Sequence, residues 1–153
     1  MKILLVCLGN ICRSPIAEGI MRKAVSDRKL PIEIDSAGTS SWHAGEHPDS
    51  RAIKVTANHG IDISKLVARK FTREDYRNFD RIYVMDETNL EDVAAIAASE
   101  EDREKVKLYL EEAGGYVFPS VPDPYYGGPD GFEKVFSLIE EAGKKILDKL
   151  EAK

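Results

Sequence analysis

A single-domain α/β fold is predicted, with a doubly wound parallel sheet of about four strands and helices on both faces. Three observations predict it. Short apolar runs alternate with helical patterns along nearly all of the 153 residues, an order that implies right-handed crossovers and a parallel sheet. The first of these runs, Lys2–Cys7, is apolar throughout after its lysine, as a strand covered on both faces requires. The length is that of one domain with its own core, and no repeat, low-complexity stretch or linker divides residues 1–153.

The elements follow in order. Lys2–Cys7 is the first strand, closed by the turn signal Leu8-Gly9-Asn10. Ser14-Pro15 reads as an N-cap followed by proline at the first helical position, and Ile16, Ile20, Met21 and Ala24 carry a helix to about Asp27. Gly19 within it costs roughly 1 kcal/mol against alanine. Pro31–Ser36 is the second strand, followed by Ala37-Gly38, and Ser41–Pro48 is a polar loop holding Trp42. Asp49–His59 is a helix stopped by Gly60. Thr72–Tyr76 is a short helix capped by Thr72, and Asp80–Met85 is the third strand. Asp86–Ala98 opens on acidic residues that suit a helix N-terminus. Val106–Leu110 reads as a fourth strand, in competition with a helix over Glu100–Glu112. Gly114–Gly131 is a loop with four prolines, and Phe132–Leu150 is an amphipathic helix with Phe132, Val135, Phe136, Ile139, Ile146, Leu147 and Leu150 on one face. The arrangement is flavodoxin-like, and chemistry in such sheets sits beyond the C-terminal strand ends, where Cys7 falls.

Composition excludes several classes. Apolar residues make up 42% and charged residues 32%, the balance of a soluble globular chain. The longest apolar run, Ile3–Leu8, is far shorter than the roughly 20 residues that span a bilayer. It follows a single basic residue and no small-residue cleavage site comes after it, so no secretory signal is expected and the location predicted is cytoplasmic. A net charge of −5 lacks the basic excess of a nucleic-acid binder. Cys7 and Cys12 are too close to brace a domain and miss the C-x2-C metal spacing, so neither metal nor cofactor is expected. No large apolar surface face is evident, which predicts a monomer.

The chemistry concentrates in Cys7-Leu8-Gly9-Asn10-Ile11-Cys12-Arg13-Ser14, a C-x5-R-[ST] pattern between a strand and a helix start. Backbone N–H groups of such a loop form an anion nest, the helix N-terminus adds a positive dipole end, and Arg13 adds a planar fork that grips two phosphate oxygens. The same fields favour Cys7 as a thiolate, the nucleophilic form. Held donors of this kind carry most of the catalysis of phosphoryl transfer. Ser14 is placed to donate to the sulfur. Further along, Asp123-Pro124-Tyr125-Tyr126-Gly127-Gly128 holds Asp123 in extended backbone ahead of a proline. A phenolate leaving group, whose conjugate acid has a pKa near 10, is expelled at neutral pH with the help of such a general acid, worth about 10²–10⁴-fold.

These residues carry a resemblance. Val6 to Pro15 is similar to the phosphate loop of the low-molecular-weight protein tyrosine phosphatases, second cysteine included, and Asp123-Pro124-Tyr125-Tyr126-Gly127 resembles their general-acid loop. Asp35-Ser36-Ala37-Gly38, Asn58-His59-Gly60 and Met85-Asp86-Glu87-Thr88-Asn89-Leu90 fit in the same order. The resemblance implies Cys7 as nucleophile, Arg13 as phosphate clamp and Asp123 as acid, with phosphotyrosine proteins as substrates and inorganic phosphate as product. It implies that Leu8, Gly9, Asn10, Ile11, Cys12 and Ser14 form the binding loop, with Asn10, Ser14 and Ser36 holding its shape. Trp42, Tyr125 and Tyr126 would wall the cleft for the ring. One departure stands out: the histidine that often precedes the family's Ala-Arg pair is missing, since Ser64-Lys65-Leu66-Val67 leads into Ala68-Arg69. His43 and His47 read as solvated. Two alternatives remain open. Protein arginine phosphatases are similar but favour threonine where Ile11 stands, and a non-catalytic phosphate-binding module would use the nest and Arg13 without Asp123.

Overall fold

The computed structural model describes residues 1–152, and at Pro129 the backbone alone. Four parallel strands, β1 (Lys2–Cys7), β2 (Glu33–Gly38), β3 (Arg81–Val84) and β4 (Val106–Leu108), form one sheet in the order β2-β1-β3-β4. β1 is central because it is apolar on both faces. Ile3, Leu5 and Cys7 point into one cluster and Leu4 and Val6 into the other, all buried.

The first cluster is closed by α1 (Arg13–Asp27), α2 (Ser50–Asn58), α6 (Tyr109–Ala113) and α7 (Pro129–Glu151), with Ile16, Met21, Phe136 and Ile139 buried there. The second lies under α3 (Glu74–Asn78) and α4 (Glu87–Ala95), around Phe71, Tyr76 and Val93. The doubly wound α/β reading is thus met. Its boundaries move by a few residues: β2 starts later than Pro31 and runs on through Gly38, and α7 begins ahead of Phe132. The ambiguous stretch after residue 99 divides three ways. Ser99 caps the short helix α5 (Glu100–Glu104), β4 takes three residues, and α6 follows at once.

Two glycines are set by close approach. A Cβ on Gly19 would stand 2.6 Å from Ile63 Cγ2, so its absence lets the segment after α2 pack onto α1. A Cβ on Gly38 would meet the Leu8 carbonyl oxygen at 2.8 Å and the Asn10 nitrogen at 3.1 Å. The end of β2 therefore supports the loop after β1 backbone to backbone.

The chain reverses between β2 and β3 on either side of β1. This switch point opens a crevice beyond the C-terminal ends of β1 and β3, and Cys7 is the last residue of β1.

Candidate active site

The loop after β1 turns tightly back to α1. Asn10 adopts φ +59°, a left-handed conformation that asparagine tolerates better than most residues. Its N–H then points at Cys7 Sγ, 3.3 Å away.

The Asn10 side chain organises the loop from beneath. The Arg69 backbone N–H donates to Asn10 Oδ1 at 3.1 Å, which fixes the amide orientation. Asn10 Nδ2 donates to Ser14 Oγ at 2.8 Å and to Ser36 Oγ at 2.9 Å. Ser36 in turn donates to Glu18 Oε1 at 2.5 Å. Ser14, already accepting from Asn10, keeps its own hydrogen for Cys7 Sγ at 3.0 Å or the Ala37 carbonyl at 3.5 Å. The N-terminus of α1 lies against the sulfur.

Ser14 is therefore not an N-cap. Helix α1 starts at Arg13, Cys12 occupies the cap position without a side-chain bond, and the Ser14 hydroxyl is drawn to the sulfur instead.

Glu18 is buried although it carries a carboxylate. Arg22 Nη2 pairs with its Oε2 at 2.7 Å while directing its hydrogens to the Ile34 carbonyl. Burial is the largest influence on Glu18 and raises its pKa, against the hydrogen bond from Ser36 and the charge of Arg22. At the position of the missing histidine, support comes from backbone and arginine: Arg69 forks onto Asp75 at 3.0 and 3.1 Å and reaches Asp35 at 3.2 Å.

Arg13 is buried, and its Nη1 donates to Asp86 Oδ2 at 2.6 Å and to the Val121 carbonyl at 3.0 Å. Burial opposes its charge, but Cys7, Asp86 and Asp123 together outweigh it and hold the guanidinium protonated. Asp123 Oδ2 stands 3.5 Å from Arg13 Nη2 and its Oδ1 accepts the Tyr125 N–H at 3.0 Å. Cys12 is buried, and its thiol is pushed strongly up by burial, then by Asp49, Cys7 and Asp123, so it stays protonated at neutral pH.

One pocket gathers Cys7, Leu8, Gly9, Ile11, Cys12, Arg13, Trp42, Asp123 and Tyr125, together with Ser40 and His43. The pocket leaves out three of the expected residues and takes in one read as solvated. Asn10 and Ser14 bear on the pocket from below through their hydrogen bonds and do not line it. Tyr126 is exposed outside the pocket and packs edge-on to Tyr125, with centroids 5.0 Å apart, because the turn Pro124–Tyr126 rotates it away. His43 is not simply solvated: it lines the pocket and bonds Glu46 at 3.1 Å. The sequence reading also passed over Glu18, Ser40 and Asp86. For Asp86 a signal existed, an acidic residue immediately past the strand beside β1.

Among the described residues no group of three or more His, Cys, Asp or Glu is arranged to hold a metal ion. No helix of the described residues is long and apolar enough to cross a membrane.

The family model for low molecular weight phosphotyrosine protein phosphatase matches residues 2–153. A protein of that name from Schizosaccharomyces pombe is 41% identical over 95% of this chain and 94% of its own. Among solved structures, a protein tyrosine phosphatase from Entamoeba histolytica superposes with a TM-score of 0.93 at 38% identity, over 99% of this chain and 97% of that one. A Drosophila arginine phosphatase gives 0.92 at 32%, over 99% and 98%.

Proposed function

The chain belongs to the low molecular weight phosphotyrosine protein phosphatase family, and we propose that it hydrolyses phosphotyrosine monoesters through a cysteinyl-phosphate on Cys7. The observation that carries this reading is that Cys7, Arg13 and Asp123 face one pocket while a directed hydrogen-bond chain ends on the Cys7 sulfur.

Arg13 is anchored through Nη1, which leaves its Nε and Nη2 edge to grip two phosphoryl oxygens. Cys7 Sγ attacks phosphorus in line, and the bond to the tyrosyl oxygen breaks as Asp123 gives that oxygen its proton. Water then attacks the cysteinyl-phosphate, and the Asp123 carboxylate takes its proton. Phosphate leaves, and the Ser14 hydroxyl donates to the departing thiolate. Trp42 and Tyr125 flank the ring of the substrate.

The arginine phosphatase among the solved structures raises a second reading. Ile11 favours tyrosine: it lines the pocket as an apolar side chain, suited to an aromatic ring and without a hydroxyl to accept a guanidinium. We assign residues 1–153 to one phosphatase domain, of which Lys153 lies outside the described residues. It acts as a cytoplasmic monomer on phosphotyrosine proteins and not on nucleic acid. Two free thiols and a net charge of −5 support that setting.

The test is hydrolysis of a phosphotyrosine peptide and a phosphoarginine peptide side by side, in thiol buffer, by wild type and Cys7→Ser. Tyrosine turnover lost in the variant is expected. Preference for phosphoarginine overturns the substrate, and no turnover of either overturns the enzyme.

A further inference from the structure

Arg51, on α2, does not line the pocket, yet three parts of the site meet on it. Its guanidinium forks onto Asp49, with Nε donating to Oδ1 and Nη2 to Oδ2, each at 3.0 Å. Asp49 is tied to the phosphate loop, because its N–H donates to the Ile11 carbonyl at 2.8 Å. The flat cation then lies over two rings, 5.4 Å from the centroid of Tyr125 and 4.7 Å from that of Phe132. Phe132 is buried at the root of α7, whereas Tyr125 stands at the pocket wall and its N–H holds Asp123 Oδ1. Arg13 also ties this loop to the phosphate loop, its Nη2 standing 3.5 Å from Asp123 Oδ2 and its Nη1 donating to the Val121 carbonyl, but those contacts fix the chain ahead of the turn, and Arg51 holds the Tyr125 ring itself.

We propose that Arg51 is a positioning residue that registers the general-acid loop on the phosphate loop. The planar fork fixes the guanidinium in two directions at once, and the ring of Tyr125 rests on the resulting plate. Tyr125 in turn sets where the Asp123 carboxyl meets the leaving oxygen. The inference rests on the reading of Asp123 as the acid.

The test compares phenyl phosphate with para-nitrophenyl phosphate in wild type, Arg51→Met and Arg51→Lys. Phenolate needs the proton that Asp123 supplies, and nitrophenolate leaves with little help. Arg51→Met is expected to lower kcat/KM, which reports formation of the phosphoenzyme and not its hydrolysis, about tenfold for phenyl phosphate, a part of the full general-acid effect, and less than about threefold for the nitrophenyl ester on the same argument. Inhibition by inorganic phosphate stays unchanged, because Cys7 and Arg13 are intact. Arg51→Lys keeps the charge but loses the fork, and is expected to show the same selective loss in smaller measure. Equal losses on both esters, or none, overturn the proposal, and Arg51→Lys alone decides it if Arg51→Met fails to fold. Absence of turnover in wild type would instead defeat the phosphatase reading.

Discussion

The hydrogen bonds around Cys7 have a direction that each residue hands to the next. Arg69 N–H can only donate, so Asn10 Oδ1 accepts and both hydrogens of Nδ2 go to Ser36 and Ser14. The Ser14 hydrogen is thereby left for the sulfur. A hydrogen bond to a charged partner contributes about 1.5–3 kcal/mol, or about ten- to a hundredfold in rate where the charge is that of the leaving thiolate. Ser14→Ala should therefore slow hydrolysis of the cysteinyl-phosphate by about that factor. Phosphate should bind as before, through Arg13. Rapid-quench trapping of the phosphoenzyme checks it: more phosphoenzyme at steady state is expected, and an unchanged level with unchanged kcat would remove Ser14 from this role. The candidacy of Cys7 and Arg13 could be read from their spacing and placement, since strand, loop and helix start follow one another along the chain, whereas Asp123 took its role from the family resemblance. Glu18 and Arg51 could not be so read, and Asp86 offered only its place immediately past β3. A charged residue within a helical pattern reads as a solvated face, and only the packing of α1 between sheet and helices buries Glu18.

Among the elements, the end of β2 does as much for the loop as the loop's own residues. At Gly38 a methyl group would press on backbone, the Leu8 oxygen at 2.8 Å, and backbone gives way only by moving the loop that holds Asn10 and Arg13. At Gly19 the contacts, 2.6 Å to Ile63 Cγ2 and 3.0 Å to Ile61 Cγ2, are with side chains of the segment after α2, which lies away from the phosphate loop. Alanine there also recovers about 1 kcal/mol of helix propensity against an overpacking cost of about 1–3 kcal/mol. Gly38→Ala is therefore expected to cut kcat by about tenfold or more, the rate equivalent of an overpacking strain of that size placed on the loop, whereas Gly19→Ala should lower the unfolding midpoint by a few degrees with activity kept. Parallel assays of kcat and thermal unfolding check both. Full activity in Gly38→Ala would mean that β2 does not brace the loop. The fold itself was readable because each strand is bounded by turn signals and each long helix by its apolar stripe. The stretch from Glu100 to Ala113 was not, because α5, β4 and α6 are each too short for periodicity to separate them, and pairing of Val106 and Leu108 with β3 decides the strand.

For the molecule as a whole, holding a carboxylate inside the core sets the sign of one contribution to stability. Burial raises the Glu18 pKa above its ordinary value of 4.5 in the folded state. Between 4.5 and the raised value the native state keeps a proton that the unfolded chain has released, so stability falls as pH climbs through that window. Asp49 has the opposite sign: the hydrogen bond from the Arg51 side chain leads the lowering of its pKa, and its contribution is lost only in acid. Because Asp49 and the other carboxylates titrate alike in wild type and a Glu18→Gln variant, their effects cancel in the difference between the two proteins. The amide oxygen of the variant still accepts from Ser36 but carries no charge to bury. The stability of Glu18→Gln minus that of wild type, from urea unfolding at a series of pH values from about 4 to 7, should therefore rise with pH and level off above the raised pKa. A difference that is flat across the series would mean that Arg22 and Ser36 compensate the buried charge fully. A rise would mean that this enzyme gives up stability at neutral pH for an anion at the far end of the hydrogen-bond chain that aims Ser14 at Cys7.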